Sequence, residues 1–547
     1  MRWTLARLTL ENAPFTMSEW LLPVRASWIG LTRRCFAFQR LGSVRYAHTG
    51  SGSSVSSHST AAAMPLPDPL QTSFQPTGLK RLVKQVFGEN AAPLPPGYRV
   101  EPRLLTQTPT HVTTLTNGMR VATERLDTPT VTVGLWLDTG TRFEPAAVNG
   151  AAHFLEHIIF KGTQRRTQQQ LEMEVEDMGA QLNAYTSREQ TVYFARCLSD
   201  VLPQSVDLLA DIIQNSRLDA AAVEREKDVI LREMEDIESQ PEEVVFDYLH
   251  GTAFQGTPLS RTILGPVENI QAMQREALLE YIRRHYRPHR MVLVAAGGCP
   301  EHERFVELAE KHFGSMPRAE DESVSSETLA AAEPAYFTGS DVRVRNDDMQ
   351  LAHFALAFET CGWAHPDAPA LMVMQALMGA YDRNAALSRF SSSRLCRGLH
   401  NVPNAVSAQA FNTSYVDTGL FGVYAIAHPP DLDDVVYEIQ MQLTGMAYKL
   451  DESEVERAKR QLKTSLLLQL SDSNAVAEDI GRQLLTYNRR VPLAETFARI
   501  DAVTAESLIH IANKYLCDRE LAVASLGPIA SLPDLLWMRR RTYWLRY

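Results

Sequence analysis

An internal repeat constrains the fold of this chain more than any other feature of its sequence. Residues 218–227 read Leu-Asp-Ala-Ala-Ala-Val-Glu-Arg-Glu-Lys, and residues 450–459 read Leu-Asp-Glu-Ser-Glu-Val-Glu-Arg-Ala-Lys, at an offset of 232 residues. Such a repeat indicates that one structural unit has been duplicated, although a short match by chance is the weaker alternative. A chain of 547 residues is also too long for a single hydrophobic core. We therefore predict two domains of similar architecture.

Local sequence signals predict a mixed α+β class. Residues 116–119, Thr-Asn-Gly-Met, carry the Asn-Gly signature of a hairpin turn, and residues 131–137 alternate as a strand does. Residues 218–237 have helical periodicity, because Val223, Ile230 and Met234 fall on one apolar stripe.

His153, Glu156 and His157 form a His-x-x-Glu-His sequence. On an α-helix these positions lie on one face, so two imidazoles can bind one metal ion beside a carboxylate. Imidazole suits Zn²⁺, which lowers the pKa of a bound water to about 7 and allows a nearby carboxylate to take its proton. The pattern predicts a zinc hydrolase with Glu156 as general base. A chance occurrence is the alternative, and a catalytic site needs a third protein ligand.

The third ligand is sought on the helix predicted for residues 218–237. Glu226 and Glu233 are two turns apart and share a face, so one could bind the metal while the other orients a ligand. Both could instead be solvated carboxylates, as is usual for Glu on an acidic helix. The residues by themselves leave this choice open.

Several further segments accompany the motif, namely Phe-Lys-Gly-Thr at 160–163, Leu-Asn-Ala-Tyr-Thr-Ser-Arg-Glu at 182–189 and Arg-Thr-Ile-Leu-Gly-Pro at 261–266. Together with the acidic helix, they resemble the pitrilysin family of metallopeptidases, and most closely its branch of mitochondrial processing peptidase β subunits. The resemblance runs from about Thr114 to the C terminus.

The resemblance implies a duplicated pitrilysin-type fold, in which two homologous α/β-sandwich domains form one half of a clam shell. It implies one Zn²⁺ per chain, held by His153, His157 and Glu233, because the family's third ligand follows the second histidine by the same 76 residues that separate His157 from Glu233. Glu226 then matches the family's accessory glutamate. In the second copy Ala458 and Ser465 stand at the equivalent positions, so that copy is predicted to be inactive.

The resemblance also implies contacts with a peptide substrate. Asn183, Ala184 and Tyr185 match an edge strand that would pair with an extended peptide through backbone hydrogen bonds. Phe160 matches the wall of the pocket for the residue after the cut. A place in the hydrophobic core is the alternative for Phe160.

Glu243 and Asp247 match the carboxylates that receive an Arg shortly before the cut. Arg forms charge-assisted paired hydrogen bonds with carboxylates, so this recognition is chemically reasonable. An ordinary i, i+4 pair on a helix surface is the alternative.

The predicted divisions of the chain are a mitochondrial transit peptide at 1–50, a Ser/Pro-rich linker or arm at 51–105, a catalytic zinc-peptidase domain at 106–320, a linker at 321–335 and an inactive repeat domain at 336–547. The first fifty residues contain seven Arg, no Lys and only two acids, which is the composition of a transit peptide. A basic arm for nucleic acid is the alternative, but no basic patch continues into the body. We predict the mitochondrial matrix as the location.

Charge and cysteine usage agree with this location. Removing residues 1–50, which carry +5, takes the formal net charge from −11 to −16, and an acidic body attracts basic partners and repels nucleic acid. The six cysteines are scattered without a Cys-x-x-Cys pair, as expected of a reduced compartment. No stretch approaches the roughly 18 to 20 apolar residues of a membrane span, so we predict that the chain does not cross a membrane.

The resemblance implies two partners, an α subunit that carries a glycine-rich loop and basic presequence peptides. Residues 383–395 of this chain hold no glycine cluster, which fits the β subunit of a heterodimer. The main alternative is a core subunit of the ubiquinol-cytochrome c reductase complex, peripheral on the matrix side of the inner membrane, as a scaffold or with both roles. The intact metal motif favours an active peptidase. A peptide-degrading relative with broad substrates is a third hypothesis.

Overall fold

A computed structural model describes residues 108–318, 325–385 and 390–543. The predicted transit peptide at 1–50 and the arm at 51–105 lie outside the described residues. The first half of the described chain contains strands β1 His111–Thr114, β2 Arg120–Arg125, β3 Thr130–Leu137, β4 Gln181–Thr186, β5 Thr191–Leu198 and β6 Met291–Gly297. Its helices are α1 Ala151–Ile158, α2 Gln168–Asp177, α3 Leu202–Asn215, α4 Ala220–Glu238, α5 Pro241–Ala253, α6 Val267–Ala272, α7 Arg275–His285 and α8 His302–Phe313.

The six strands form one sheet in the order β1-β2-β6-β3-β5-β4. β2 and β6 are parallel, whereas the other neighbours are antiparallel. The Asn-Gly turn predicted at 116–119 lies between β1 and β2, where Gly118 has a φ of 93° that favours glycine. β4 is an edge strand, and no further strand pairs with it in the described part of the chain.

The second half repeats this plan. Its strands are β7 Asp341–Arg345, β8 Ala352–Thr360, β9 Ala380–Asp382, β10 Ala405–Ser414, β11 Gly419–Ala427 and β12 Leu521–Gly527. Its helices, counted from the connecting α9 Ser326–Ala332, are α10 Ala368–Met378, α11 Arg394–Leu399, α12 Leu432–Gly445, α13 Glu452–Gln469, α14 Ser473–Tyr487, α15 Leu493–Asp501, α16 Ala505–Tyr515 and α17 Leu535–Arg540.

The second sheet has the order β7-β12-β8-β11-β10-β9, again with one parallel pair, β7 with β12. When the two sheets are aligned on their parallel pairs, β2 with β6 and β7 with β12, β10 is the counterpart of β4. The short strand β9 pairs with β10, so the edge that is open in the first sheet is covered in the second.

The halves exchange one helix each. α14 of the second half packs its apolar face, including Ile480, on the face of the first sheet that carries Trp136. α5 of the first half packs in the same way on the second sheet, with Phe246 against Phe411. α5 and α14 begin 232 residues apart, the offset of the sequence repeat. Each large side chain buried in this way stabilises the association by about 1.5–3 kcal/mol.

The predicted α+β fold of two homologous units is confirmed by this topology. The exact domain boundaries, at 106–320 and 336–547, stay predictions. Among the described residues, no helix combines the length and apolar character needed to span a bilayer.

Candidate metal centre

The site is built on α1, which begins immediately after Gly150. Gly150 has a φ of 102°, and a Cβ there would lie 2.5 Å from the carbonyl oxygen of Leu264, so the position requires glycine. The buried carboxylate of Glu144 accepts hydrogen bonds from the backbone N–H groups of Gly150, at 2.8 Å, and Ala152, at 2.6 Å. These bonds occupy donors that the first turn of a helix leaves free, and they fix where α1 starts.

His153, Glu156 and His157 lie on one face of α1, as their spacing predicts. The centroids of the two imidazole rings are 4.7 Å apart. α4 packs across this face and brings in Glu233, whose Oε2 lies 3.0 Å from Nε2 of His157 and 3.7 Å from Nε2 of His153. The ligand atoms of His153, His157 and Glu233 all lie within 4.8 Å of one another.

Unpaired polar atoms show that this cluster fits a cation. Both ring nitrogens of His153 and Oε2 of Glu156 are buried without a hydrogen-bond partner, and Oε2 of Glu233 is buried with the ring of His157 3.0 Å away. Because buried polar groups are normally paired, three unpaired atoms beside the carboxylate of Glu233 call for a bound species. Two imidazole nitrogens and a carboxylate oxygen are the donor set of a catalytic metal site that keeps one position open. The residues present therefore fit a divalent metal.

Glu226 lies behind the cluster. Its Oε1 is 3.2 Å from Nδ1 of His157, and its Oε2 is 3.2 Å from Nζ of Lys161. A carboxylate that accepts the Nδ1–H proton of an imidazole leaves Nε2 free for a metal and fixes the orientation of the ring. Lys161 in turn holds Glu226.

Burial and neighbouring charges separate the pKa values of the three residues on α1 in the metal-free site. Burial, with the nearby His157, lowers the pKa of His153 to about 4. Burial also lowers that of His157, but hydrogen bonds to Glu226 and Glu233 outweigh it and raise the pKa to about 9. Burial raises the pKa of Glu156 to about 7, against the effect of its hydrogen bonds with Thr186. A carboxylate with a pKa near neutrality is suited to general acid–base chemistry.

The residues predicted to contact a peptide lie beside this cluster. Asn183 and Ala184 are on the open edge strand β4, where Oδ1 of Asn183 accepts the backbone N–H of Ala184 at 2.7 Å. The side chain of Tyr185 is buried against α14, and its hydroxyl donates to Glu478 at 2.5 Å. Only the backbone of Tyr185 is therefore placed to meet a peptide. Phe160 is partly buried and packs edge-on against Tyr193, with ring centroids 6.2 Å apart.

Glu243 and Asp247 are both partly buried on α5. Asp247 already accepts a hydrogen bond from the buried guanidinium of Arg188 at 2.9 Å. A substrate Arg would have to share this carboxylate with Arg188.

Sequence reasoning missed three residues that shape the site. Glu144 anchors α1, Thr186 bonds to Glu156, and Arg188 holds Asp247. Thr186 and Arg188 lie within the segment 182–189 that carries the resemblance, but their partners are distant in the chain. An acid a few residues before a predicted helix was the one signal that could have identified Glu144.

Comparisons with known proteins agree with the geometry. A family model described as "Insulinase (Peptidase family M16)" matches residues 120–267, and one described as "Peptidase M16 inactive domain" matches residues 272–462. The chain is 52% identical over 445 residues to "Probable mitochondrial-processing peptidase subunit beta, mitochondrial" of Arabidopsis thaliana, covering 81% of this chain and 83% of the relative. It is 50% identical over 438 residues to "Mitochondrial-processing peptidase subunit beta" of Homo sapiens, covering 80% and 88%.

A solved structure is also similar. A chain of "Complex III2 from Candida albicans, Inz-5 bound" has a TM-score of 0.71 at 25% identity, covering 79% of this chain and all of that one. The predicted resemblance to mitochondrial processing peptidase β subunits is confirmed by the relatives, and the predicted metallopeptidase class by the family. The two family models together match more than half of the residues, and this chain belongs to the M16 family of peptidases.

Proposed function

We propose that this chain is the catalytic β subunit of a mitochondrial processing peptidase, a zinc metalloendopeptidase that removes Arg-containing presequences from imported precursors. The observation that carries the proposal is the convergence of ligand atoms from His153, His157 and Glu233 within 4.8 Å of one another, beside the unpaired Oε2 of Glu156. An open strand edge lies next to this cluster. Together they provide the chemistry of peptide hydrolysis and a place to hold the peptide.

Zinc is the ion that best suits two imidazoles and one carboxylate with an open position. His153, His157 and Glu233 would hold it, while Glu226 fixes His157. Zinc bound there supplies a Lewis acid for the scissile carbonyl and lowers the pKa of water to about 7.

Glu156 performs the proton transfers. Thr186 hydrogen-bonds to Glu156, and Oε2 of Glu156 is unpaired and free to accept a proton. Glu156 takes a proton from the attacking water and delivers it to the departing amine nitrogen as the amide bond breaks. Burial keeps bulk water from competing for this proton.

Substrate recognition follows from the open edge of β4. An extended peptide can add as a further strand through backbone hydrogen bonds, which do not demand one sequence. Asp247, with Glu243 four residues before it, supplies carboxylate for an Arg near the cut. In the second half the metal ligands are replaced, and β9 covers the edge of β10, the counterpart of β4.

Partner and location follow from the same proposal. The curated relatives are named as β subunits, which supports an α subunit as partner. Their mitochondrial names, with the composition of residues 1–50, support the matrix. The acidic body favours basic presequence peptides and disfavours nucleic acid.

A second candidate is a core subunit of the ubiquinol-cytochrome c reductase complex, because the similar solved chain comes from a complex III structure. The two roles are compatible in one protein. Purifying the native protein distinguishes them: an α subunit alone in the same peak indicates the soluble peptidase, whereas cytochromes in that peak indicate the respiratory complex.

Two substitutions test the proposed enzyme, with the chain assembled with its α subunit. Glu156→Gln removes the base and keeps the ligands, so we expect full zinc content and loss of cleavage by at least about 100-fold. Glu233→Ala removes a ligand, so we expect zinc content to fall. Glu235→Ala is the control, because Glu235 is exposed two residues further along α4. Normal turnover by Glu156→Gln, or unchanged zinc in Glu233→Ala, would refute the assignment.

A further inference from the structure

A buried cluster of charged residues joins the second half of the chain to the segment that precedes α1, the metal helix that carries His153 and His157. Arg142, which is 2% exposed, lies two residues before Glu144. Its Nη1 and Nη2 donate to the two carboxylate oxygens of Asp417 at 2.8 and 2.6 Å, and Nη1 also donates to Glu189 at 2.7 Å. Asp417 lies in the turn between β10 and β11 of the second half.

We propose that Asp417 is a positioning residue for the active site, acting through Arg142 on both the metal helix α1 and the edge strand β4. In this role the catalytically silent half of the chain holds the reacting groups of the other half in place. The proposal adds to the proposed function and relies on its identification of Glu156 as the base.

The first connection runs from Arg142 through Glu144 to the start of α1. Arg142 and Glu144 belong to one short segment, whose first residues form the 3-10 turn Thr141–Phe143. Glu144 accepts the N–H groups of Gly150 and Ala152, and the residue after Ala152 is the metal ligand His153. Arg142 thus fixes the segment that fixes the start of α1.

The second connection runs from Arg142 to the turn that follows β4. The backbone N–H of Arg142 donates to the carbonyl of Arg188 at 2.8 Å, and the N–H of Thr141 donates to Ser187 at 3.3 Å. Glu189, in the same turn, accepts the backbone N–H of Val416 at 3.1 Å. This turn follows Thr186, the last residue of β4 and the partner of Glu156. The two halves of the chain therefore meet at the turn that follows β4.

The cluster is buried, and carboxylates from both halves of the chain hold Arg142 in place. The side chain of Arg142 is 1% exposed, and Asp417 also accepts the backbone N–H of Ala335. A paired guanidinium–carboxylate contact of this kind is directional, because both N–H···O bonds must align at once. Loss of the Asp417 charge leaves Glu189 as the remaining carboxylate partner of Arg142, and the segment can then shift toward Glu189.

The test is Asp417→Asn in the full chain assembled with its α subunit and zinc. We expect kcat for a presequence peptide to fall about tenfold, the size associated with losing one charge-assisted hydrogen bond, with zinc stoichiometry unchanged. We also expect faster amide hydrogen exchange at Gly150 and Ala152 than in the wild-type protein. Arg142→Lys, which keeps the charge but cannot bind both oxygens in this way, should act in the same direction and serves if Asp417→Asn does not fold.

Glu495→Gln is the matched control. Glu495 is 1% exposed and binds two arginines, Arg489 and Arg499, all within the second half. Glu495→Gln therefore removes the carboxylate of a similarly buried ion pair without touching the segment at Arg142. We expect it to lower the melting temperature while leaving kcat and exchange at Gly150 and Ala152 near wild type.

A double-mutant cycle separates positioning from general destabilisation. If Asp417 acts through Glu144, the loss of kcat in Asp417→Asn combined with Glu144→Gln is smaller than the product of the single losses. Losses that multiply, an unchanged kcat in Asp417→Asn, or an equal loss in Glu495→Gln would overturn the proposal. Failure of the proposed function is distinguishable, because the wild-type protein itself would then cleave no presequence.

Discussion

The metal-free site should bind zinc in competition with a proton on His157. Hydrogen bonds to Glu226 and Glu233 raise the pKa of His157 to about 9, so the ring carries a proton throughout the neutral range. A metal needs neutral imidazole, and binding must displace that proton. At pH 7, two units below the pKa, about 1% of the rings are free, which lowers the apparent affinity about 100-fold, or about 2.7 kcal/mol.

The displaced proton sets both the direction and the slope of the dependence of zinc affinity on pH. Because the proton is lost as pH rises through about 9, apparent zinc affinity increases with pH across the neutral range. The increase is about tenfold per unit, and therefore about 100-fold between pH 6 and pH 8. His153, with a pKa of about 4, adds nothing in this window. Protonation of Glu156, whose pKa is about 7, removes a nearby negative charge and makes the fall at pH 6 steeper.

Titration calorimetry of the metal-free protein measures the effect. At pH 7, buffers with different ionisation heats should report at least about one proton released per zinc bound. Glu226→Gln removes one carboxylate that stabilises the proton on His157, so it should release fewer protons and give a shallower dependence on pH. Affinity that is flat between pH 6 and pH 8, with no proton released, would refute the reasoning.

Two further predictions concern packing and recognition. Gly481→Ala should destabilise the fold by about 1–3 kcal/mol in denaturant unfolding, because a Cβ there would lie 2.3 Å from the buried ring of Trp136; an unchanged midpoint would show that α14 does not pack as described. Asp247→Asn should raise KM about tenfold for a peptide with Arg before the cut and much less for one with norleucine there, at similar kcat, because a charge-assisted contact is lost; equal effects on both peptides would contradict the assigned contact.

Local chemistry of α1 could be predicted from the sequence because helix geometry alone sets which side chains share a face. The spacing of His153, Glu156 and His157 placed them together, and the structure adds Glu233 at 3.0 Å from His157. The repeat likewise predicted two similar units. What the residues by themselves left open was the choice between Glu226 and Glu233, since both lie on one face of α4 and only the packing of α4 on α1 separates them.

The contacts between the halves could not be predicted. Residues 131–137 alternate as a strand with one covered face, yet β3 is buried on both faces because α14 covers Trp136 from the second half. In the same way Asp417 gives no local signal, since its partner Arg142 is 275 residues away in the chain. Contacts at such separation depend on the tertiary fold and leave no periodic pattern.

Anomalous scattering at the zinc edge, from a crystal of the Glu156→Gln protein with its α subunit and a presequence peptide, tests the central claim most directly. We predict one zinc peak per chain between His153, His157 and Glu233, with the peptide added as a strand along β4 and its scissile carbonyl at the metal. A peak at any other group of residues, or a peptide bound away from β4, would contradict the proposed catalytic site.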